Sequence, residues 1–349
     1  MGRTAKNNPF VINGDTIQPG ERKTVNLPIT KLYTHTPVSL TVHVIHGNNP
    51  GPCLFVSAAI HGDELNGVEI IRRLLNHPGL RNLHGTLLAV PVVNVLGFLH
   101  RSRYFPDRRD LNRCFPGVSR GSLASQTAAL FMESIVAPST CGIDLHTGAI
   151  HRSNLPQTRG LSDDPLINEI SQAFNTPIHL HTQLREGSLR LAAHEAGVPV
   201  LLYEAGEALR LDEASIRAGL KGVLRVMRYL KMLPGGSKLK KVCGEWCAAH
   251  SSRWIRAPVS GIAQSVKPIG ARVQEGEVIA YVYNPLGTEK VDMVAPKEGI
   301  IIGCSNLPMV NQGDAMFHIA FVQDAEALED KVQETLELFH EDPDDEYGA

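Results

Sequence analysis

The stretch that most limits how this chain can fold is Cys53-Leu54-Phe55-Val56-Ser57-Ala58-Ala59-Ile60, followed at once by His61-Gly62-Asp63-Glu64. An apolar run without charge reads as a strand buried on both faces, which a sheet achieves when it is parallel and covered by helices on both sides. Leu65, Val68, Ile71, Leu74 and Leu75 then recur at helical spacing, so strand gives way to helix directly, with Asp63 the expected N-cap. His61 is thereby expected at the carboxyl end of a strand and Glu64 in a helix's first turn, the edge where open α/β sheets build their sites. A histidine and a carboxylate three apart can ligate a metal. The same pair also arises from a surface histidine beside a glutamate favoured by the helix dipole, so a third ligand has to be found.

The rest of the first 235 residues repeats the strand and helix alternation. Residues 38–46 alternate like an amphipathic strand, and Leu87 to Val93 is a buried run. Thr127 to Ile135 reads as a helix, Gly142 to His146 as a further strand, Val198 to Glu207 as another, and Ala214 to Met232 as a long helix. The fold class is therefore α/β, a mostly parallel mixed sheet with helices on both faces. A chain of 349 residues exceeds what one core usually organises, so a second, smaller domain is expected.

The third ligand candidate is His146 in Asp144-Leu145-His146-Thr147-Gly148, 82 positions beyond Glu64, a separation natural for neighbouring strands whose carboxyl ends meet. His61, Glu64 and His146 make the two-histidine, one-carboxylate set of a catalytic zinc, with a fourth position for water. Asp144 is expected on the opposite strand face, in a supporting or loop-bonding role. Between these motifs, Tyr104 to Gly117 has loop composition, and its arginines and Asn112 suit a substrate carboxylate. In Val198-Pro199-Val200-Leu201-Leu202-Tyr203-Glu204-Ala205-Gly206-Glu207 an apolar strand ends in a carboxylate, Glu204 before Glu207, and apolar flanks favour proton uptake by such a group. His179 and His181 alternate on a strand-like stretch that can line a pocket.

Three motifs in this order, His61-Gly62-Asp63-Glu64, then Arg103-Tyr104 with Asp110-Leu111-Asn112-Arg113-Cys114-Phe115-Pro116-Gly117, then Asp144-Leu145-His146-Thr147-Gly148, resemble the succinylglutamate desuccinylase and aspartoacylase family, relatives of the zinc carboxypeptidases. The resemblance spans about residues 50–210. It implies one zinc ion per chain held by His61, Glu64 and His146, and a substrate carboxylate gripped by Asn112 and Arg113. It further implies an oxyanion stabilised by Arg103, with Arg101, Arg108 and Arg109 as competitors, and Glu204 as the proton-shuttling base. Arg190, in Gly187-Ser188-Leu189-Arg190, resembles a substrate-side element of some members.

After Leu233-Pro234-Gly235-Gly236-Ser237-Lys238 the composition changes. Ala257-Pro258-Val259-Ser260-Gly261-Ile262 is answered 38 residues later by Ala295-Pro296-Lys297-Glu298-Gly299-Ile300, which predicts a small β-sandwich or barrel similar to biotinyl and lipoyl domains. The lysine those domains modify has no counterpart in register: seven residues before Ala295 stands Thr288, and Lys290 lacks flanking methionines. The expected organisation is a hydrolase domain over 1–235, an unmodified barrel over 250–322 that covers the cleft or supports a homo-oligomer, and a short helix with acidic tail over 323–349.

Charge and cysteine usage bound the rest. Residues 323–349 hold 11 of the 36 acidic side chains and one of the 34 basic ones, leaving 33 basic against 25 acidic groups elsewhere, which suits a small anionic substrate. No nucleic-acid motif, signal-like segment or membrane-length apolar run is found, and six scattered cysteines suit reduced thiols and a cytoplasmic protein. Cys243 and Cys247, four apart, lack a second pair for structural zinc. The expected activity is zinc-dependent hydrolysis of the amide of a small N-acyl amino acid such as N-acylated aspartate, succinylglutamate or an acyl-diamino acid. The rivals are a zinc carboxypeptidase acting on short peptides and a non-catalytic binding or carrier protein on the same scaffold.

Overall fold

The computed structural model describes residues 7–235, 248–322 and 324–340. Cys243, Cys247, part of the expected linker, the first six residues and the acidic tail from Glu341 lie outside the described residues. The strands are β1 (Phe10–Ile12), β2 (Asp15–Ile17), β3 (Arg22–Lys31), β4 (Pro37–His46), β5 (Asn49–Ala58), β6 (His84–Val90), β7 (Cys141–Gly148), β8 (Arg152–Gly160), β9 (Ile178–His181) and β10 (Val200–Glu207). They continue as β11 (Ala248–Ala249), β12 (Ser251–Arg256), β13 (Gly261–Ser265), β14 (Arg272–Val273), β15 (Val278–Tyr283), β16 (Lys290–Val294), β17 (Gly299–Ser305), β18 (Met309–Val310) and β19 (Ala315–Phe321). The helices are α1 (Asn66–Asn76), α2 (Val95–Leu99), α3 (Leu123–Phe131), α4 (Pro165–Phe174), α5 (Leu189–Glu195), α6 (Glu213–Tyr229) and α7 (Ala325–His340).

The main sheet runs β12-β19-β17-β8-β10-β7-β5-β6-β4-β3. Its centre, β10-β7-β5-β6, is parallel, as the apolar runs predict, while β8 and β4 join antiparallel on either side. The period-2 alternation of strand side chains divides the core. Leu54 and Val56 of β5 pack with α1, α4 and α6 on one face, whereas Phe55 packs with α3 and α5 on the other. Helices therefore cover both faces. The expected helix at Thr127–Ile135 is α3 followed by a π-helical turn over Met132–Val136.

The start of α1 differs from expectation. Leu65 occupies the N-cap with no side-chain cap, so Asp63 caps nothing and Glu64 precedes the helix instead of lying in its first turn. Residues 61–64 form a tight turn in which the Glu64 amide donates to the His61 carbonyl at 3.1 Å. Gly62 is required there, because a Cβ would sit 2.1 Å from the Gly97 backbone of α2.

The C-terminal segment forms a β-sandwich. The sheet β16-β15-β13-β18 faces β12, β19 and β17 across a core containing Ile279, Val282, Met293, Ile301, Phe317 and Ile319. That second layer extends the main sheet, since Gly303, Cys304 and Ser305 of β17 pair with Asn154, Ser153 and Arg152 of β8. Among the described residues no helix is long and apolar enough to cross a membrane.

Candidate active site

Parallel strands deliver their carboxyl ends to one edge, and here β5, β7 and β10 deliver His61, His146 and Glu204. Backbone register sets His146 beside Glu204 and brings the end of β5 level with β7, Ser57 being paired with Asp144 and Ala58 with Leu145, while His61 follows in the turn after β5. Glu64 reaches the same point from the turn before α1. Its Oε1 lies 2.7 Å from His61 Nδ1 and its Oε2 lies 2.8 Å from His146 Nδ1 and 3.1 Å from the donating Thr147 amide. The ligand-type atoms of His61, Glu64 and His146 all fall within 4.8 Å of one another, and all three residues are buried.

The outer imidazole nitrogens face carboxylates. His146 Nε2 is 2.8 Å from Asp144 Oδ2, and His61 Nε2 is 3.3 Å from Asp110 Oδ1. Asp144 is itself fixed by the Ser57 hydroxyl, which donates at 2.8 Å. The expectation that Asp144 points to the opposite strand face is corrected here: residues two apart on a strand share a face, and the carboxylate lies against the His146 ring. Carboxylates behind both rings orient them and raise their basicity, the arrangement that backs histidine ligands in metal sites. Burial pulls the proton affinity of both histidines down, but Glu64 with Asp110 raises it for His61, and Asp144 with Glu64 raises it well above the ordinary value for His146. Burial alone would raise the Glu64 pKa, yet the two imidazoles hold it far below the usual carboxylate range. Two imidazoles and an ionised carboxylate converging in a buried site fit a divalent metal of the zinc type.

A cavity of about 270 Å³ opens over this cluster. Its wall includes eight of the residues singled out in the sequence: His61, Glu64, His146, Arg103, Asn112, Arg113, Arg190 and Glu204. Of the competing arginines 101, 103, 108 and 109, Arg103 is the one in the wall. It donates to Asp110 Oδ2 at 3.0 Å and approaches Glu64 Oε1 at 3.5 Å; burial works against its charge, and these two carboxylates more than offset that. Asn112 and Arg113 follow Asp110 in a short 3-10 turn, and Asn112 Oδ1 accepts the Leu189 amide at 2.9 Å, tying this turn to the start of α5. Arg190 donates to Thr182 Oγ1 at 3.1 Å, and burial, with Arg159 nearby, lowers its pKa to about 10.

Glu204 is in the wall and Glu207 is not. Glu207 accepts from the His151 amide and the Asn306 side chain, both at 2.9 Å or less, at the join with the C-terminal sandwich. The surroundings of Glu204 are not the apolar ones its flanks suggest, because Asn154 donates to Oε1 at 2.8 Å and Arg159 Nε lies 2.8 Å from Oε2. Sequence reasoning assigned no role to Asn154, Arg159, Arg152 or Trp254, all of which line the cavity. Asn154 and Gln157 are buried polar residues of β8, and polar side chains inside a strand-like stretch are the signal that was available. Trp254 of β12 had no such signal; it stacks on His318 at 4.8 Å and carries the Arg152 guanidinium 5.1 Å above its ring. His179 bonds Ser171 and Thr158, and neither it nor His181 is in the wall.

Comparison with known proteins agrees with this geometry. Residues 50–230 match the succinylglutamate desuccinylase/aspartoacylase catalytic domain. The chain belongs to this family. A curated relative, the N-alpha-acetyl-L-2,4-diaminobutyric acid deacetylase of Halomonas elongata, is 24% identical over 283 residues, covering 78% of this chain and 83% of that protein. Among solved structures, a product-bound ectoine utilization protein EutE from Ruegeria pomeroyi superposes with a TM-score of 0.75 at 23% identity, over 86% of this chain and 94% of that one. A succinylglutamate desuccinylase from Silicibacter sp. superposes with a TM-score of 0.77 at 23% identity, over 93% and 100%. Both share the desuccinylase/aspartoacylase fold with this chain over the catalytic part and beyond it.

Proposed function

We propose that this protein is a zinc-dependent amidohydrolase that removes the acyl group from a small, anionic N-acyl amino acid. The observation that carries the reading is that one cavity joins a buried His61, Glu64 and His146 donor set to a carboxylate base and several guanidinium groups. The curated relative's name, a deacetylase of an acetylated diamino acid, supports the reaction class. A cavity of about 270 Å³ suits a small substrate better than a folded polypeptide.

A zinc ion held by His61, Glu64 and His146 would supply Lewis-acid polarisation of the acyl carbonyl and of water. The chain's own groups do the rest. Arg113, with Asn112 holding the loop, anchors the amino acid carboxylate, and a planar guanidinium suits that task. Arg103 stays charged between Asp110 and Glu64 and faces the oxyanion that develops when water attacks the carbonyl carbon. Glu204 takes one proton from that water and delivers it to the leaving nitrogen as the C–N bond breaks, giving a carboxylic acid and an amine, and the acid's remaining proton passes to the amine to leave a carboxylate and an ammonium group. Arg190 contacts the remaining end of the substrate.

The test is zinc-loaded protein assayed with N-acetyl-L-aspartate, N2-succinyl-L-glutamate and N-alpha-acetyl-L-2,4-diaminobutyrate, with a dipeptide as comparison and free amine as the readout. Cleavage of an N-acyl amino acid, lowered about 10² to 10⁴-fold in kcat by Glu204→Gln, is expected. Cleavage of the dipeptide alone, or no cleavage, overturns the substrate class. A full rate in Glu204→Gln overturns the assigned base.

A further inference from the structure

The strand that carries Glu204 is irregular at that residue. Against β7, β10 keeps register from Val200 through Glu204 and resumes only at Glu207; against β8 it slips between Glu204 and Gly206. Gly206 has φ +73°, the left-handed conformation that lets the chain bend there. Irregularities of this bulge type next to sites re-aim a side chain. A re-aimed carboxylate needs partners that fix its new direction, and β8 supplies two. Asn154 donates to Oε1 at 2.8 Å, and Arg159 Nε makes an ion contact with Oε2 at 2.8 Å without the alignment of a hydrogen bond.

We infer that Asn154 and Arg159 are positioning residues for Glu204, holding its carboxylate in the cavity wall beside His146. The inference rests on the reading of Glu204 as the proton shuttle. A surface ion pair could show the same distance, but here both partners are mostly covered, with 18% of the Arg159 and 17% of the Glu204 side chain exposed, and both face the cavity. The register explains why: Arg159 is paired with Leu202, two residues before Glu204 and therefore on the same face. The brace extends to the C-terminal sandwich. Gly303 of β17 is paired with Asn154, and a Cβ on Gly303 would sit 2.6 Å from Asn154 Oδ1, so the two strands fit closely at this point. Gln157 lies between Arg159 and β17, accepting from Arg159 Nη2 at 3.5 Å and donating to the Ile302 carbonyl at 3.2 Å. The sandwich thus contributes to the site by fixing the strand that fixes the base.

The experiment compares wild type, Arg159→Ala, Arg159→Lys, Asn154→Ala, Glu204→Gln and the Glu204→Gln/Arg159→Ala double variant on whichever of the three N-acyl amino acids is cleaved fastest. Zinc content and thermal unfolding check that each is folded; Arg159→Lys and Asn154→Ala keep the test alive if Arg159→Ala does not fold. Arg159→Ala should lower kcat about 10 to 100-fold with KM changed less than about twofold, and added guanidinium ion should restore part of the rate. Removing Arg159 in the Glu204→Gln background should cost nothing further, because a residue acting through Glu204 has nothing left to act on. A raised KM with intact kcat, an unchanged kcat, or a loss that multiplies in the double variant overturns the inference while leaving Glu204 in its role. A full rate in Glu204→Gln fails the shuttle reading instead. A crystal structure of Arg159→Ala gives an answer without any substrate: the Glu204 carboxylate should leave the cavity wall, and an unmoved carboxylate overturns the inference.

Discussion

Asp144 and Asp110 each face the outer nitrogen of a histidine whose inner nitrogen meets Glu64; His146 is hydrogen-bonded on both sides, whereas His61 is bonded by Glu64 and faces Asp110 at 3.3 Å without the alignment of a hydrogen bond. Neither aspartate needs to touch a metal to decide how well one is held. Asp144→Asn and Asp110→Asn are each expected to weaken zinc binding about 10 to 100-fold, read by competition with a chromogenic chelator, while the melting temperature of the metal-free protein changes little. The residue scale is also where sequence reading was strongest and most uneven. His61, Glu64, His146 and Glu204 were legible because each ends an apolar run or its turn. Asp144 was placed on the wrong face of its own strand, and Asn154 and Arg159 were passed over, because their meaning depends on a carboxylate 45 or more residues away.

At the scale of elements, close strand packing sets what the site-bearing strands can tolerate. Gly142 of β7 is paired with Phe55 of β5, and a Cβ there would lie 2.1 Å from the Phe55 ring, which also meets Phe131 of α3 edge-on at 5.8 Å. Gly142→Ala should therefore destabilise by about 1–3 kcal/mol through overpacking, measured from the urea midpoint. Phe55→Leu in the same chain should recover part of the loss; destabilisation unchanged by Phe55→Leu would show that the ring is not the obstacle. Strands and helices were legible from period and polarity, with ends displaced by a few residues. The start of α1 was not, since the turn at 61–64 is bent by its contact with α2 and not by a helix cap.

On the scale of the whole molecule, the sandwich and the catalytic sheet are joined through β17 and β8, and His318 lies at that join. It stacks on Trp254, which lines the cavity, and its Nε2 contacts Ser252 Oγ at 2.9 Å. Burial, with the Arg159 charge adding to it, pushes the His318 pKa down to about 3 from an ordinary 6.5. The unfolded chain takes up this proton below pH 6.5 while the folded one does not, so stability is complete above that pH and declines as pH falls toward 3. The decline from this one group is roughly 3 kcal/mol by pH 4. His318→Phe, which keeps a ring on Trp254, should flatten the fall between pH 6.5 and 4 in urea titrations; an unchanged slope would remove His318 as its cause.

The sequence by itself determined the α/β class, the order of the elements and which polar residues stand at the strand ends, because hydrophobic period and strand ends are local properties of the chain. Only the tertiary structure decided which carboxylates stand behind the histidines, what holds Glu204, and that the C-terminal sandwich joins the catalytic sheet at β8. Those relations are fixed by strand register and by a bulge. They bring together residues far apart in the chain, through backbone hydrogen bonds that no short stretch of sequence encodes.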